Sequence, residues 1–209
     1  MTLIRKGVTP EVFKNNTIIQ DSPIARFLFS DVRFASFWLV VRVYVGWLWL
    51  TSGWGKVQNP AWTDTGQALL GFWKAAVAVP APPARPAITF DWYRNFLQTL
   101  IDNEAYVWFG KLIAFGEMLV GIGLIVGAFV GVAAFFGAAM NFNFLLAGTA
   151  STNPLMFLLA MLLIMAWKTA GYYGLDRILL PILGTPWQPI PIKTRTGTGS
   201  KPDPQPIAT

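Results

Sequence analysis

Four stretches of the chain stay apolar, with almost no charge, for about the 20 residues that a helix needs to cross a hydrocarbon core of about 30 Å. They run from about Phe34 to Val57, Tyr106 to Val126, Ala128 to Leu146 and Pro154 to Tyr173. This pattern predicts an all-α integral membrane fold, a bundle of four transmembrane helices. Spans two and three are joined almost without a loop around Gly127, Ala128 and Phe129, so an antiparallel hairpin is expected. Gly123, Gly127 and Gly131, four residues apart, would let backbones approach closely at its tip. Asn153 and Pro154 supply the N-cap and first turn of the fourth span.

The segment between spans one and two, residues 58–104, is too long for a simple connector. Thr63 and Asp64 can cap a helix whose apolar side is Leu69, Leu70, Phe72, Trp73 and Val77, and the Pro-rich stretch from Pro80 to Pro86 ends it as a stiff spacer. A second helical patch follows at Trp92, Phe96, Leu97 and Leu100. The expected arrangement is an exterior helical cap; a docking surface for an external domain is the alternative. Ahead of the first span, Ser22 and Pro23 read as the start of a short interfacial helix with Ile24, Phe27 and Leu28 on one side. The chain thus divides into an N-terminal cytoplasmic segment (1–33), a four-helix membrane domain (34–181) and a basic Pro/Gly/Thr-rich tail (182–209).

Composition agrees with this reading, since 54% of residues are apolar and 12% charged. The net charge of +6 comes from basic residues that flank the apolar runs and do not form a patch, which points to a lipid surface and away from nucleic acid. The positive-inside rule puts both termini in the cytoplasm and residues 58–104 outside. Residues 1–33 hold no long apolar h-region, so the first span is expected to act as its own insertion signal. His and Cys are absent, which removes imidazole and thiolate ligands. Redox chemistry would then fall to carboxylates, amides, phenols or a partner's cofactor; no intrinsic cofactor or metal is expected.

Arg42 lies about eight residues into the first span and Glu117 about nine from the inner end of the second, depths of about 12 and 14 Å. Depth matching predicts an ion pair between them, either a clamp between helices or a site where Glu117 exchanges a proton with a quinol and Arg42 holds an anionic group. Arg42, Gly46, Trp49, Gly53 and Lys56 form one stripe on the first span, and Gly110, Ala114, Glu117, Gly121 and Ala128 form a small-residue face on the second. Lys56, Lys111 and Lys168 are expected to snorkel to headgroups. Asn141 and Asn143 point to nearly opposite sides of the third span, each able to bridge a different neighbour or to meet a quinone carbonyl. Trp54, Trp108, Trp167, Tyr172 and Tyr173 fit aromatic belts. Gly121 and Gly123 read as helix packing and not as a dinucleotide fingerprint. The sequon Asn15-Asn16-Thr17 precedes span one on the cytoplasmic side and is read as without consequence.

Several of these segments together resemble the bacterial DoxX family. The resemblance is carried by Ser52-Gly53-Trp54-Gly55-Lys56, by Phe115-Gly116-Glu117-Met118-Leu119-Val120-Gly121, by Asn141 to Thr149 with Ser151-Thr152-Asn153-Pro154, and by Gly171-Tyr172-Tyr173-Gly174-Leu175-Asp176. It covers about residues 34 to 181 and implies a four-helix membrane protein with an intramembrane Arg and Glu at Arg42 and Glu117. Related DoxD proteins are small subunits of a thiosulfate:quinone oxidoreductase, and other members are membrane anchors of redox complexes. Several members carry a basic residue at the turn between spans two and three, where this chain has Gly127, Ala128, Phe129, Val130 and Gly131.

Two functions follow as expectations. One is an integral subunit or anchor of a quinone-linked oxidoreductase, with a quinol pocket near Glu117, Arg42, Trp49, Asn141 and Asn143. The other is a non-catalytic scaffold that binds a partner complex through residues 58–104. A four-span transporter is weaker, because no repeat or broken helix is visible. In either case the expected partners are membrane lipids and another protein, homo-oligomerisation is left open, and a standalone redox enzyme is not expected.

Overall fold

The computed structural model describes residues 21–183, so the sequon and the tail beyond Leu183 lie outside the described residues. Among the described residues the regular elements are all helical. They are α1 (Pro23–Ser30), α2 (Ala35–Val57), α3 (Pro60–Thr63), α4 (Gln67–Val77), α5 (Asp91–Asp102), α6 (Tyr106–Val126), α7 (Val130–Leu146), α8 (Asn153–Met165), α9 (Trp167–Ala170) and α10 (Asp176–Ile182). Two helical stretches, Val32–Val57 and Tyr106–Val126, are long and apolar enough to cross a membrane. α7 and α8 are shorter apolar helices. The fourth apolar run is not one uninterrupted helix: α8 stops at Met165 and, after Ala166, α9 adds a single turn.

α2 and α6 are the most intimate pair, because glycines remove the side chains that would hold them apart. A Cβ at Gly53 would lie 2.6 Å from the Met118 nitrogen, and one at Gly121 would lie 2.5 Å from the Leu50 nitrogen. α7 returns along α6 through the tight turn at Gly127, whose φ of +73° favours a residue without a Cβ. The core of this bundle contains Trp38, Val45, Trp49, Leu124, Ala134 and Leu163. All four long helices also leave large apolar side chains exposed, among them Val40, Trp47, Leu112, Leu119, Phe135, Phe136, Leu158 and Met161. A belt of this kind is more than a soluble monomer ordinarily leaves uncovered.

The bundle has two distinct ends. At the basal end α1 and α9 meet, with the Thr169 hydroxyl donating to the Phe29 carbonyl at 3.2 Å. Ser22 caps α1 through Ala25 N–H and Pro23 is its first residue, as its sequence predicts. At the distal end α4 and α5 form a second core with Leu69, Trp73, Ile88, Tyr93 and Leu97, seated against Phe109, Ile113 and Leu146 of α6 and α7. The start of α4 differs from expectation. Thr63 and Asp64 do not cap it; Gly66 occupies the N-cap position at φ +68°, packed so closely on α6 that a Cβ would strike the Tyr106 carbonyl. On α5 the buried residues are Tyr93 and Leu97, while Trp92 and Phe96 face outward.

Candidate functional site

The predicted Arg42–Glu117 pair does not form. Gly53 sits beside Glu117, and eleven residues of helix, roughly 16 Å, separate Gly53 from Arg42. Depth matching assumed that α2 and α6 end at the same levels, whereas the glycine contacts set a register in which each helix overhangs the other. Arg42 instead reaches the basal tip of α6. Its Nη1 donates to the Leu124 and Ile125 carbonyls at 2.7 and 3.0 Å, and its Nη2 to the Tyr173 carbonyl at 3.0 Å. These include last-turn carbonyls that lack helical partners, so a cation there satisfies acceptors and opposes the helix dipole.

Asp176 completes the basal arrangement from the other side of the turn. Its Oδ1 accepts from Phe129 N–H at 2.6 Å and its Oδ2 from Val130 N–H at 2.8 Å, capping the start of α7. Burial pushes the Asp176 carboxyl up, opposed by those two N–H groups and by the charge of Arg42. Gly171 and Gly174 make room: a Cβ at Gly171 would lie 2.5 Å from that of Asp176, and one at Gly174 would lie 2.7 Å from the Cα of Gly127.

Glu117, 1% exposed, is held from the distal side. Lys56 donates to its Oε2 at 2.7 Å and to the Ser52 hydroxyl at 2.7 Å, and lies 5.2 Å from the Trp62 ring centroid. Lys56 therefore points inward and does not snorkel; Lys111 and Lys168 are exposed. The pair lines a cavity of about 330 Å³, walled by Trp49, Trp62, Phe72, Phe144 and Met156 and bordered by Thr149, Ser151, Thr152 and Asn153 of the α7–α8 connection. Ser151 adopts φ +41° there, a conformation uncommon for a residue with a Cβ. The second Glu117 oxygen, Oε1, is buried without a hydrogen-bond partner, and so is Trp49 Nε1.

Asn141 is fully buried with neither amide atom bonded, so it does not bridge helices as expected. Its helix face also carries Gly137, where a Cβ would lie 3.0 Å from Trp49 Nε1. Asn143 does bridge: the Tyr93 hydroxyl donates to its carbonyl at 3.0 Å and its Oδ1 at 3.3 Å. Burial pushes the Tyr93 phenol up to about 12, which keeps it a donor through the physiological range.

Of the five sequence candidates, Glu117 and Trp49 line the cavity beside Lys56, Asn143 lines a second one, Asn141 is buried in the bundle and Arg42 belongs to the basal turn. Sequence reasoning missed Lys56 as the partner of Glu117, although Lys56 stood on the Arg42 stripe. It also missed Asp176 as a helix cap, for which no local signal exists because the capped helix starts 46 residues earlier. Among the described residues no cluster of three or more acidic residues is placed to hold a metal. Comparison with known proteins returns no matching family model, no matching curated protein and no matching solved structure.

Proposed function

We propose that this chain is an integral membrane protein in which α2, α6, α7 and the α8–α9 unit cross the bilayer, and that it is the membrane subunit or anchor of a quinone-linked redox complex. The apolar belt around all four helices supports the membrane reading, as does the meeting of α1 and α9 at one end, which fits an even number of crossings. The basal end would face the cytoplasm of a bacterial cell, with α3 to α5 forming the exterior cap. The resemblance to DoxX proteins points the same way.

The observation that carries the ligand reading is a buried carboxylate left half satisfied at a cavity. Lys56 occupies one oxygen of Glu117; the other has no partner, and a buried acceptor in that state costs about 1–3 kcal/mol unless something bonds to it. A quinone or quinol fits the demand. Its flat ring suits the walls of Trp49, Trp62, Phe72 and Phe144, a quinol hydroxyl can donate to the Glu117 carboxylate, and a quinone carbonyl can accept from the remaining Lys56 hydrogen. Electrons would come from a partner, since the chain has no His or Cys to hold a redox metal.

The test is quinone bound to the purified chain in lipid nanodiscs, read by extraction and by quenching of tryptophan fluorescence. Quinone binding above empty nanodiscs that drops about tenfold in Lys56→Met, and quinol binding under reductant that drops about tenfold in Glu117→Gln, is expected, each the loss of one charge-assisted hydrogen bond. Wild-type protein that binds no more quinone than empty nanodiscs would sink the reading. A scaffold role has its own support in the exposed Phe90, Trp92 and Phe96 around α5. For that role, Phe90→Ala with Trp92→Ala should release a cross-linked partner in native membranes without changing quinone binding.

A further inference from the structure

The Glu117–Lys56 cavity has a neighbour. A second cavity of about 230 Å³ lies between α4, α5, α6 and α7, and Phe72 and Phe144 belong to the walls of both. Their rings stand edge to face, 6.3 Å apart at 75°, and both side chains are only partly buried. The partition between the two cavities therefore includes two aromatic rings, which can turn about their side-chain torsions without any backbone movement.

The compartments are chemically opposite. The first presents Lys56, Ser52 and Glu117, a cation, a hydroxyl and a carboxylate. The second is lined by Leu69, Trp73, Leu97, Phe109, Ile113 and Met140, and its polar groups Tyr93 and Asn143 are already bonded to each other. It offers a polar ligand nothing and an apolar chain a complete lining. Phe96 and Phe136, also in its wall, are exposed on the side of the bundle, so a chain too long for the cavity has a way out.

We propose that the two cavities form one site for a single amphiphile, its hydrogen-bonding head at Glu117 and Lys56 and its prenyl or alkyl tail passing between Phe72 and Phe144 into the second cavity. The inference rests on reading the Glu117–Lys56 cavity as the ligand seat. The head is uncharged: Lys56 already neutralises Glu117, and a fatty-acid carboxylate would place a second negative charge beside it with no cation to spare.

Two probes separate head from tail: a benzoquinone ring without a tail and the same ring with two isoprenoid units. Both are titrated against the full chain in nanodiscs by tryptophan quenching. With free quinone counted per lipid against empty nanodiscs, the tail should tighten wild-type binding severalfold, through close packing that fluid lipid does not give it. Ala139→Phe fills the second cavity from α7 and should remove the gain while leaving ring-only affinity unchanged. Ala139→Leu should give an intermediate loss, and thermal unfolding of both variants identifies any that fails to fold. Decanoate should not displace the tailed quinone.

The results sort the two ideas. If ring and tailed quinone bind wild type equally, or the tail gain survives in both Ala139 variants, the two-compartment site is wrong and the seat at Glu117 stands. Displacement by decanoate as effective as by quinone overturns the neutral head. If neither quinone binds wild type, the seat itself fails and the tail site falls with it.

Discussion

The α2–α6 pair buries charge at both of its ends, and the two ends are built differently. At the basal end Arg42 makes three hydrogen bonds to carbonyls of the α6 terminus and the α9–α10 link, and Asp176 gives both oxygens to the first N–H groups of α7. Backbone groups that a tight helical hairpin would leave bare are closed by two side chains of matching sign. At the distal end Glu117 meets Lys56 through one oxygen, leaves the other unbonded and borders a cavity. The basal charges bond helix-terminal backbone groups and the distal pair bonds side chain to side chain, and each end keeps one buried unbonded atom, Arg42 Nε and Glu117 Oε1. Burial, charge and an unbonded atom do not distinguish a clamp from a site; the partners do, fixed backbone groups at the basal end and side chains at the distal end.

The largest effect should come from the basal end. Asp176→Ala strips two caps from α7 and leaves Arg42 buried without a counter-charge, at a cost of about 3–5 kcal/mol. Thermal unfolding in detergent reads it, and a loss as small as that of Glu117→Gln would erase the contrast between the ends. Next is Gly121→Ala, whose Cβ meets the Leu50 backbone and should cost about 1–3 kcal/mol by forcing α2 and α6 apart. That variant should also loosen the Glu117–Lys56 contact, so ligand binding and stability fall together.

The packing of α4 and α5 at the distal end can be probed by pH. The folded Tyr93 phenol sits at about 12 and an unfolded one near 10, so the neutral form is favoured by folding. The stability this contributes is complete below about pH 10 and lost as pH rises toward 12, a span of about 2–3 kcal/mol. Tyr93→Phe should flatten that part of the stability curve relative to wild type; parallel curves would mean that Tyr93 is not buried between α5 and α7. The smallest effect on stability belongs to Glu117→Gln, expected to shift unfolding by less than about 1 kcal/mol while costing quinol affinity about tenfold. A variant that instead unfolds readily would make the distal pair a clamp like the basal one.

Much of the helical layout was legible in the residues. The stripe from Arg42 through Gly46, Trp49 and Gly53 is the buried face of α2, and Gly110, Ala114, Glu117 and Gly121 are the buried face of α6, because helical periodicity is local and repeats every few residues. The Ser22 cap of α1 and the hairpin turn at Gly127 were likewise readable from short-range chemistry. The α5 face was only half right. Trp92 and Phe96 are as apolar as Leu97, and only the position of α4 decides which of them is covered.

What the chain determined by itself is therefore which segments are helical, which faces are buried, and that an Arg, a Lys and a Glu lie among apolar residues. Which of these meet was decided by tertiary structure. Helical periodicity gives the angle of a side chain around its own axis but not the height of one helix against another. That height is set by glycine-to-backbone contacts at Gly46, Gly53 and Gly121, which reward one register with close packing and penalise the rest with overlap. In that register Glu117 falls to Lys56, and Arg42 falls to the carbonyls at the end of α6.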